Sequence, residues 1–295
     1  MTEAAPRLFC FGLGYSAQAL ARRLAARGWR IAGTCRDEAG RARLAEAGCE
    51  TFLFDGEQPL ADAPAALAGT THLLSSVPPG AAGDPVLRHH GGDLARLAGR
   101  LAWAGYLSTT GVYGDRGGGL VDEESALRPT GERGRRRVAA EAGWRALHRR
   151  HGLPLHVFRL AGIYGPGRSA LDAVRAGTAR RIDKPGQLFS RIHVEDIATV
   201  IEASIARPRP GVAYNLCDDE PAPPQEVIAF ACSLLGVPPP PLIPFAEADL
   251  APMARSFYDD NKRVSNARIK SELGVRLAYP DYRAGLRAIL EAAGA

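Results

Sequence analysis

Residues 8–27 read LFCFGLGYSAQALARRLAAR: a short apolar run, two closely spaced glycines, then a helical pattern with Ala17, Leu20 and Leu24 on one face. Few backbones satisfy that order. Gly12 permits a tight turn out of a strand. Gly14 carries no side chain, so the backbone can approach a bulky group closely. Ala17 is small enough for the helix to pack against a sheet. The first helical turn, with Leu13, Tyr15 and Ser16 around it, presents backbone N–H groups and the positive end of the helix dipole to negative charge. A G-x-G-x-x-A spacing is a weak signal alone. Its place between a strand and a helix gives it meaning.

The same alternation continues. Strands are predicted at 8–11, 29–35, 51–54, 72–77, 106–108, 155–160 and 213–216. Helices are predicted at 16–27, 86–104 and 132–151, then at 224–235, 262–273 and 282–293. Strands alternating with helices imply an α/β chain with a Rossmann-type, doubly wound parallel sheet of about seven strands. From Ala222 the texture becomes helical and proline-rich, with four prolines at 238–241. Two lobes are therefore expected. Residues 1–165 with about 190–220 form the dinucleotide-binding domain, and about 166–190 with 221–295 form a smaller substrate-side lobe.

Composition excludes several classes. The 295 residues are 46% hydrophobic and 23% charged, which is ordinary globular usage. No apolar run approaches the ~20 residues of a membrane span. The N-terminus enters a strand without a charged and then apolar leader, so no signal peptide is read. Five scattered cysteines without a C-x-x-C pair argue against a disulfide framework or a cysteine zinc site. No metal is expected, and the location expected is the cytoplasm. The arginines at 133, 135, 136, 137, 145, 149 and 150 spread around a helix circumference without interleaved aromatics, which argues against nucleic acid.

Strand two ends in Thr34-Cys35-Arg36-Asp37. An acid at the strand end would accept hydrogen bonds from an adenosine ribose hydroxyl, whereas a guanidinium suits a 2′-phosphate. Cys35 stands where the acid is expected and Arg36 follows, so NADP(H) is favoured over NAD(H). Asp37 keeps NAD(H) open. Asp55 is placed to reach an adenine or to make an Asp-Gly turn. Ser76, at the end of strand four, completes the expected cofactor contacts.

The stretch LSTTGVYGD at 107–115, followed by VDEESALRPTGERGRRRVAAE, resembles the extended short-chain dehydrogenase/reductases of the NAD(P)-dependent epimerase/dehydratase family. RLAGIYGPGR at 159–168, FSRIHVEDIA at 189–198 and YNLCDDEP at 214–221 extend the resemblance over nearly the whole chain, in the family's order. It implies a seven-stranded parallel sheet with a smaller lobe closing over the nicotinamide end. It also implies a homodimer formed through about 86–104 and 132–151.

The family's chemistry rests on a Ser or Thr after strand five and a Tyr-x-x-x-Lys on the next helix. The hydroxyl position falls on Thr109. The tyrosine position falls on Arg133 and the lysine position on Arg137. Arginine is a poor proton shuttle, although it stabilises negative charge, and Arg137 can hydrogen-bond a ribose. The glycine loop also lacks the usual T-G-x-x-G-x-x-G form. Both departures resemble the atypical, YeeZ-like branch, which lacks the tyrosine.

Tyr113, Tyr164 and His193 are the candidates for a replacement acid/base. Each has a structural alternative: the tyrosines packed under loops, the histidine satisfied in the core. Arg168 matches a position that can meet an anionic substrate, or it lies on the surface. Two functions follow. One is an NADP(H)-dependent oxidoreductase, or epimerase/dehydratase-like enzyme, with a non-standard proton donor and a small-molecule substrate. The other is a cofactor-binding sensor without turnover.

Overall fold

The computed structural model describes residues 5–294. β1 (Arg7–Phe11) is buried at every position, as a strand covered on both faces must be. It is followed by α1 (Tyr15–Ala25), β2 (Arg30–Cys35), α2 (Glu38–Glu46), β3 (Glu50–Leu53), α3 (Ala63–Leu67), β4 (His72–Ser75), α4 (Pro85–Leu97), β5 (Trp103–Thr109) and α5 (Glu132–His151). The strands Leu155–Leu160 and Ala213–Leu216 complete a seven-stranded sheet in the order Ala213–Leu216, Leu155–Leu160, β5, β4, β1, β2, β3. β1 pairs in parallel with both β2 and β4. The strand order reverses there, and ligands of doubly wound sheets bind at the carboxyl ends of strands at such a switch point.

The chain divides into two units. One comprises residues through Thr109, Arg135–Arg159 and Ile197–Tyr214; the other comprises Thr110–Gly134, Leu160–Asp196 and the chain from Asn215 onward. The second unit thus takes in the segments 110–134 and 160–165 that leave the strand ends, which the sequence pattern grouped with the sheet. In the first unit, Tyr106 and Trp144 stack with centroids 5.4 Å apart. The Trp144 indole donates to Asp84 at 2.9 Å. Asp84 also accepts from Val86 and Leu87 at the start of α4, so one carboxylate caps α4 and clips α5 to it. The second unit has its own cores. Tyr164, Leu171, Tyr282 and Leu286 belong to one, and Ile182, Ala248 and Tyr258 to another.

Several boundaries differ from the periodicity. The helix predicted over 86–104 stops at Leu97 and a single 3-10 turn follows. β5 starts at Trp103, whose ring stacks on His156 at 5.6 Å and is fully buried. The run LAGRLAWA fits either period, and the tertiary contacts of Trp103 decide it. The helix predicted over 262–273 begins only at Ala267, because Arg263–Val264 pairs as a short parallel strand with Leu120–Val121. The helices α2, α3, Ala170–Arg175 and Pro252–Ser256 were not anticipated. The first three do carry cap signals: Asp37, Asp62 and Ser169 each accept the N–H three residues on.

Candidate functional site

The glycine loop in the first unit has the geometry its sequence implies. Gly12 sits at φ +82°, in the left-handed region, and a Cβ there would lie 2.9 Å from the Ser76 hydroxyl. That hydroxyl donates to the Gly12 carbonyl at 2.6 Å, so Ser76 braces the turn. The Gly12 and Leu13 amides donate to Thr34, each at 2.8 Å. Gly14 is the N-cap of α1 and supplies no side-chain cap, and no acidic residue stands in the first turn. A Cβ on Gly14 would meet nothing within 4 Å. The loop therefore faces open space at its helix end, with Ser16 and Ala17 buried behind it. These features fit a dinucleotide pyrophosphate.

Just past β2, Arg36 is exposed. Asp37 is engaged elsewhere: its Oδ1 accepts the Gly40 amide at 2.7 Å as the N-cap of α2. Asp55 accepts the Glu57 amide at 2.8 Å in an exposed Asp-Gly turn.

Arg137, on α5, donates to the Tyr106 hydroxyl at 3.0 Å and the Leu107 carbonyl at 2.8 Å. The half-buried Thr109 ends the same strand, β5. Beneath them lies a network that sequence reasoning missed. Ser108 donates to Glu141 at 2.5 Å, and Arg159 meets the same carboxylate at 2.9 Å. All three are buried. The pairing of Glu141 with Arg159 fixes α5 to the strand Leu155–Leu160, and so sets where Arg137 begins. Serine, glutamate and arginine lie in three separate motifs, so no local pattern links them.

The second unit holds the other candidates. Tyr113 is fully buried and donates to Asn215 at 2.6 Å. Tyr164 donates to the Asp281 carbonyl at 3.3 Å, and burial raises its pKa above the usual phenol value. Arg133 is exposed, with its guanidinium 5.5 Å from the Phe257 ring centroid. Arg168 is exposed in a tight Gly165–Arg168 turn.

His193 accepts the Glu195 amide on Nδ1 at 3.2 Å, which places the proton on Nε2. Nε2 is buried with no partner. The ring lies 3.9 Å from that of Tyr279 and 5.1 Å from that of Tyr164. Burial pushes its pKa down to about 4, so it is neutral near pH 7.

A further group was not singled out from sequence. Asp218 is 2% exposed, and its carboxylate has no side-chain partner and only weak support from the Arg191 and Glu220 backbone amides. Burial pushes its pKa up to about 8, against a lowering by Arg191. Asp219, its neighbour, is exposed and pairs with Lys270. The two adjacent aspartates look identical in sequence; only the fold separates them.

These groups set a pH profile. Burial lowers His72, His156 and His193 to about 4 from 6.5. The unfolded chain binds their protons first, so each adds stability as pH rises from about 4 to 6.5. Asp218 works oppositely. Its folded pKa is raised, so its contribution is complete below 3.8 and is lost as pH rises through about 8. Of these four, three outweigh one up to pH 6.5 and Asp218 acts alone above it; burial also raises Asp84 and Glu123, which act in the same sense as Asp218. Each group sets a slope of roughly 1.4 kcal/mol per pH unit within its window. Thermal stability is expected to peak near pH 6.5 and to decline toward pH 8. Asp218→Asn is expected to flatten the alkaline limb. A variant profile parallel to wild type above pH 6.5 would place that proton elsewhere.

Comparison with known proteins follows this geometry. The family described as the NAD dependent epimerase/dehydratase family matches residues 103–217. Protein YeeZ of Escherichia coli K12 is 30% identical over 281 residues, covering 92% of this chain and 95% of YeeZ. The chain belongs to the NAD-dependent epimerase/dehydratase family. It is an atypical short-chain dehydrogenase/reductase, similar to YeeZ over nearly its whole length. A functionally unknown conserved protein from Silicibacter pomeroyi is 55% identical, with TM-score 0.91 over 98% of this chain and 99% of that one. The dTDP-glucose 4,6-dehydratase of Bacillus anthracis, solved with NAD, shares the family fold at 16% identity, with TM-score 0.76 over 98% and 96%. No described helix is long and apolar enough to cross a membrane, and no metal-binding cluster occurs among the described residues.

Proposed function

We propose that this protein is an NADP(H)-dependent oxidoreductase, or an epimerase/dehydratase-like enzyme, acting on a small-molecule substrate without the family's phenol. The observation that carries the cofactor reading is the open space in front of Gly14 at an uncapped helix start. The preference for NADP(H) is supported by the exposed Arg36 beside an Asp37 already used as a helix cap. Ser76 braces the loop and Asp55 lies at the adenine side. Isothermal titration is expected to show NADPH binding about tenfold or more tighter than NADH. Arg36→Asp is expected to abolish or reverse that preference. Equal affinities in the wild type would overturn the assignment.

A bound nicotinamide supplies or accepts hydride. Arg137, pinned to Tyr106 and the Leu107 carbonyl, offers its remaining N–H groups to a ribose. Thr109 holds a substrate oxygen. Arg133 is permanently charged, so it stabilises developing negative charge without releasing a proton. Arg168 is the candidate contact to an anionic substrate. Among the replacement acids, Tyr113 spends its proton on Asn215, and Tyr164 is held at the Asp281 carbonyl. His193 keeps an unpartnered Nε2–H, but it is neutral near pH 7, so it offers a hydrogen bond to a substrate oxygen rather than a proton. The substituted phenol favours a second reading, a sensor that binds cofactor without turnover.

The location that fits is the cytoplasm, where five free thiols stay reduced. A homodimer through α4 and α5 is the expected assembly, and light scattering should give twice the 31.4 kDa chain mass. A monomer mass at moderate salt would count against it.

A further inference from the structure

The short helix Pro252–Ser256 runs directly into a 3-10 turn, Phe257–Asp259. This strap is anchored from one side. Tyr258 is buried, and its ring meets Phe189 at 5.3 Å and Phe245 at 5.1 Å. Thr130 bonds to Asp260, and Gln187 donates to the Asp260 carbonyl at 2.8 Å. The opposite side has no such cover. Met253 is 64% exposed and Phe257 55% exposed. Four residues apart, they fall on one helical face. The Arg133 guanidinium lies against the Phe257 ring. Met253 and Phe257 thus present an apolar side chain each to solvent, with a permanent cation beside the ring.

We propose that Phe257, Met253 and Arg133 form a recognition face for a planar aromatic carboxylate. The aromatic ring of the ligand stacks on Phe257 and Met253, as rings and thioethers favour. Its carboxylate meets the Arg133 guanidinium, whose planar fork matches carboxylate geometry. Arg133 falls at the family's tyrosine position in the sequence, and reading the ligand as the substrate rests on the function proposed above. It assigns the substrate an aryl group and one negative charge.

The test uses the full chain, with and without NADPH, titrated calorimetrically with trans-cinnamate. Crotonate, which lacks the ring, and UDP-glucose serve as comparisons. Cinnamate is expected to saturate the protein and to bind about tenfold more tightly than crotonate. Phe257→Ala and Arg133→Gln are each expected to weaken cinnamate about tenfold. Phe257→Ala and Met253→Ser should leave NADPH affinity unchanged, since both side chains are exposed. Absent cinnamate binding, or binding indifferent to these substitutions, would overturn the inference, as would preferential binding of UDP-glucose. Sedimentation of Phe257→Ala as a smaller species than wild type would make this face a contact between copies and overturn it too. Loss of NADPH binding is a separate result. It bears on the cofactor reading, and the cofactor-free titration still decides this one.

Discussion

Arg133→Tyr combined with Arg137→Lys is expected to raise the rate of NADPH oxidation with carbonyl substrates well above that of the wild type. A phenol in place of a guanidinium restores a group that can release a proton to a developing alkoxide. General acid catalysis of this kind is worth roughly 10²- to 10⁴-fold. The wild type is correspondingly expected to be slow or silent on simple ketones, alcohols and nucleotide sugars. Arg133 retains some electrostatic stabilisation of an oxyanion, so a residual rate is expected. Both bonds of Arg137, to the Tyr106 hydroxyl and the Leu107 carbonyl, leave from Nη1, and the lysine loses the guanidinium's other N–H donors. Steady-state assays across a carbonyl panel, including Thr109→Ala, measure this. No gain in the double variant with NADPH still bound favours the sensor reading. Fast wild-type turnover indifferent to Tyr113, Tyr164 and His193 substitutions would mean that the proton comes from elsewhere.

Gly14→Val is expected to abolish cofactor binding while the protein stays folded. The two halves of that result have separate causes. A Cβ at Gly14 meets no protein atom within 4 Å, and the φ of −84° suits any residue, so the fold is expected to tolerate a side chain there. The same side chain fills the space a pyrophosphate would occupy. Circular dichroism should match the wild type, and the cofactor-induced thermal shift should vanish. A variant that keeps the full shift would reduce the loop to a turn. Gly12 is not an equivalent probe. Its φ of +82° and its contact with Ser76 tie any substitution there to strain.

The parts legible in the sequence are those fixed by local chemistry. The glycine loop, the sheet strands and α5 depend on residue size and period, and each is found near its expected place. Trp103 shows the limit. Its helix-compatible neighbours hid a strand start that only packing against His156 and Phe158 decides. Asp37 shows a second. As a charge after strand two it kept NAD(H) open, and its capping bond to Gly40 is visible only once α2 exists. Asp218 shows a third, since burial rather than residue type gives it its chemistry. The Glu141, Ser108 and Arg159 network joins residues that the chain keeps far apart.

Hydrogen exchange of the backbone amides, with and without NADPH, tests the central claim at the residues that carry it. Protection is expected at 13–18, where the first turn of α1 meets the pyrophosphate, and around Arg36. Gly14→Val should remove it. NADPH binding that leaves these amides unchanged, or protects a different segment, would contradict the account.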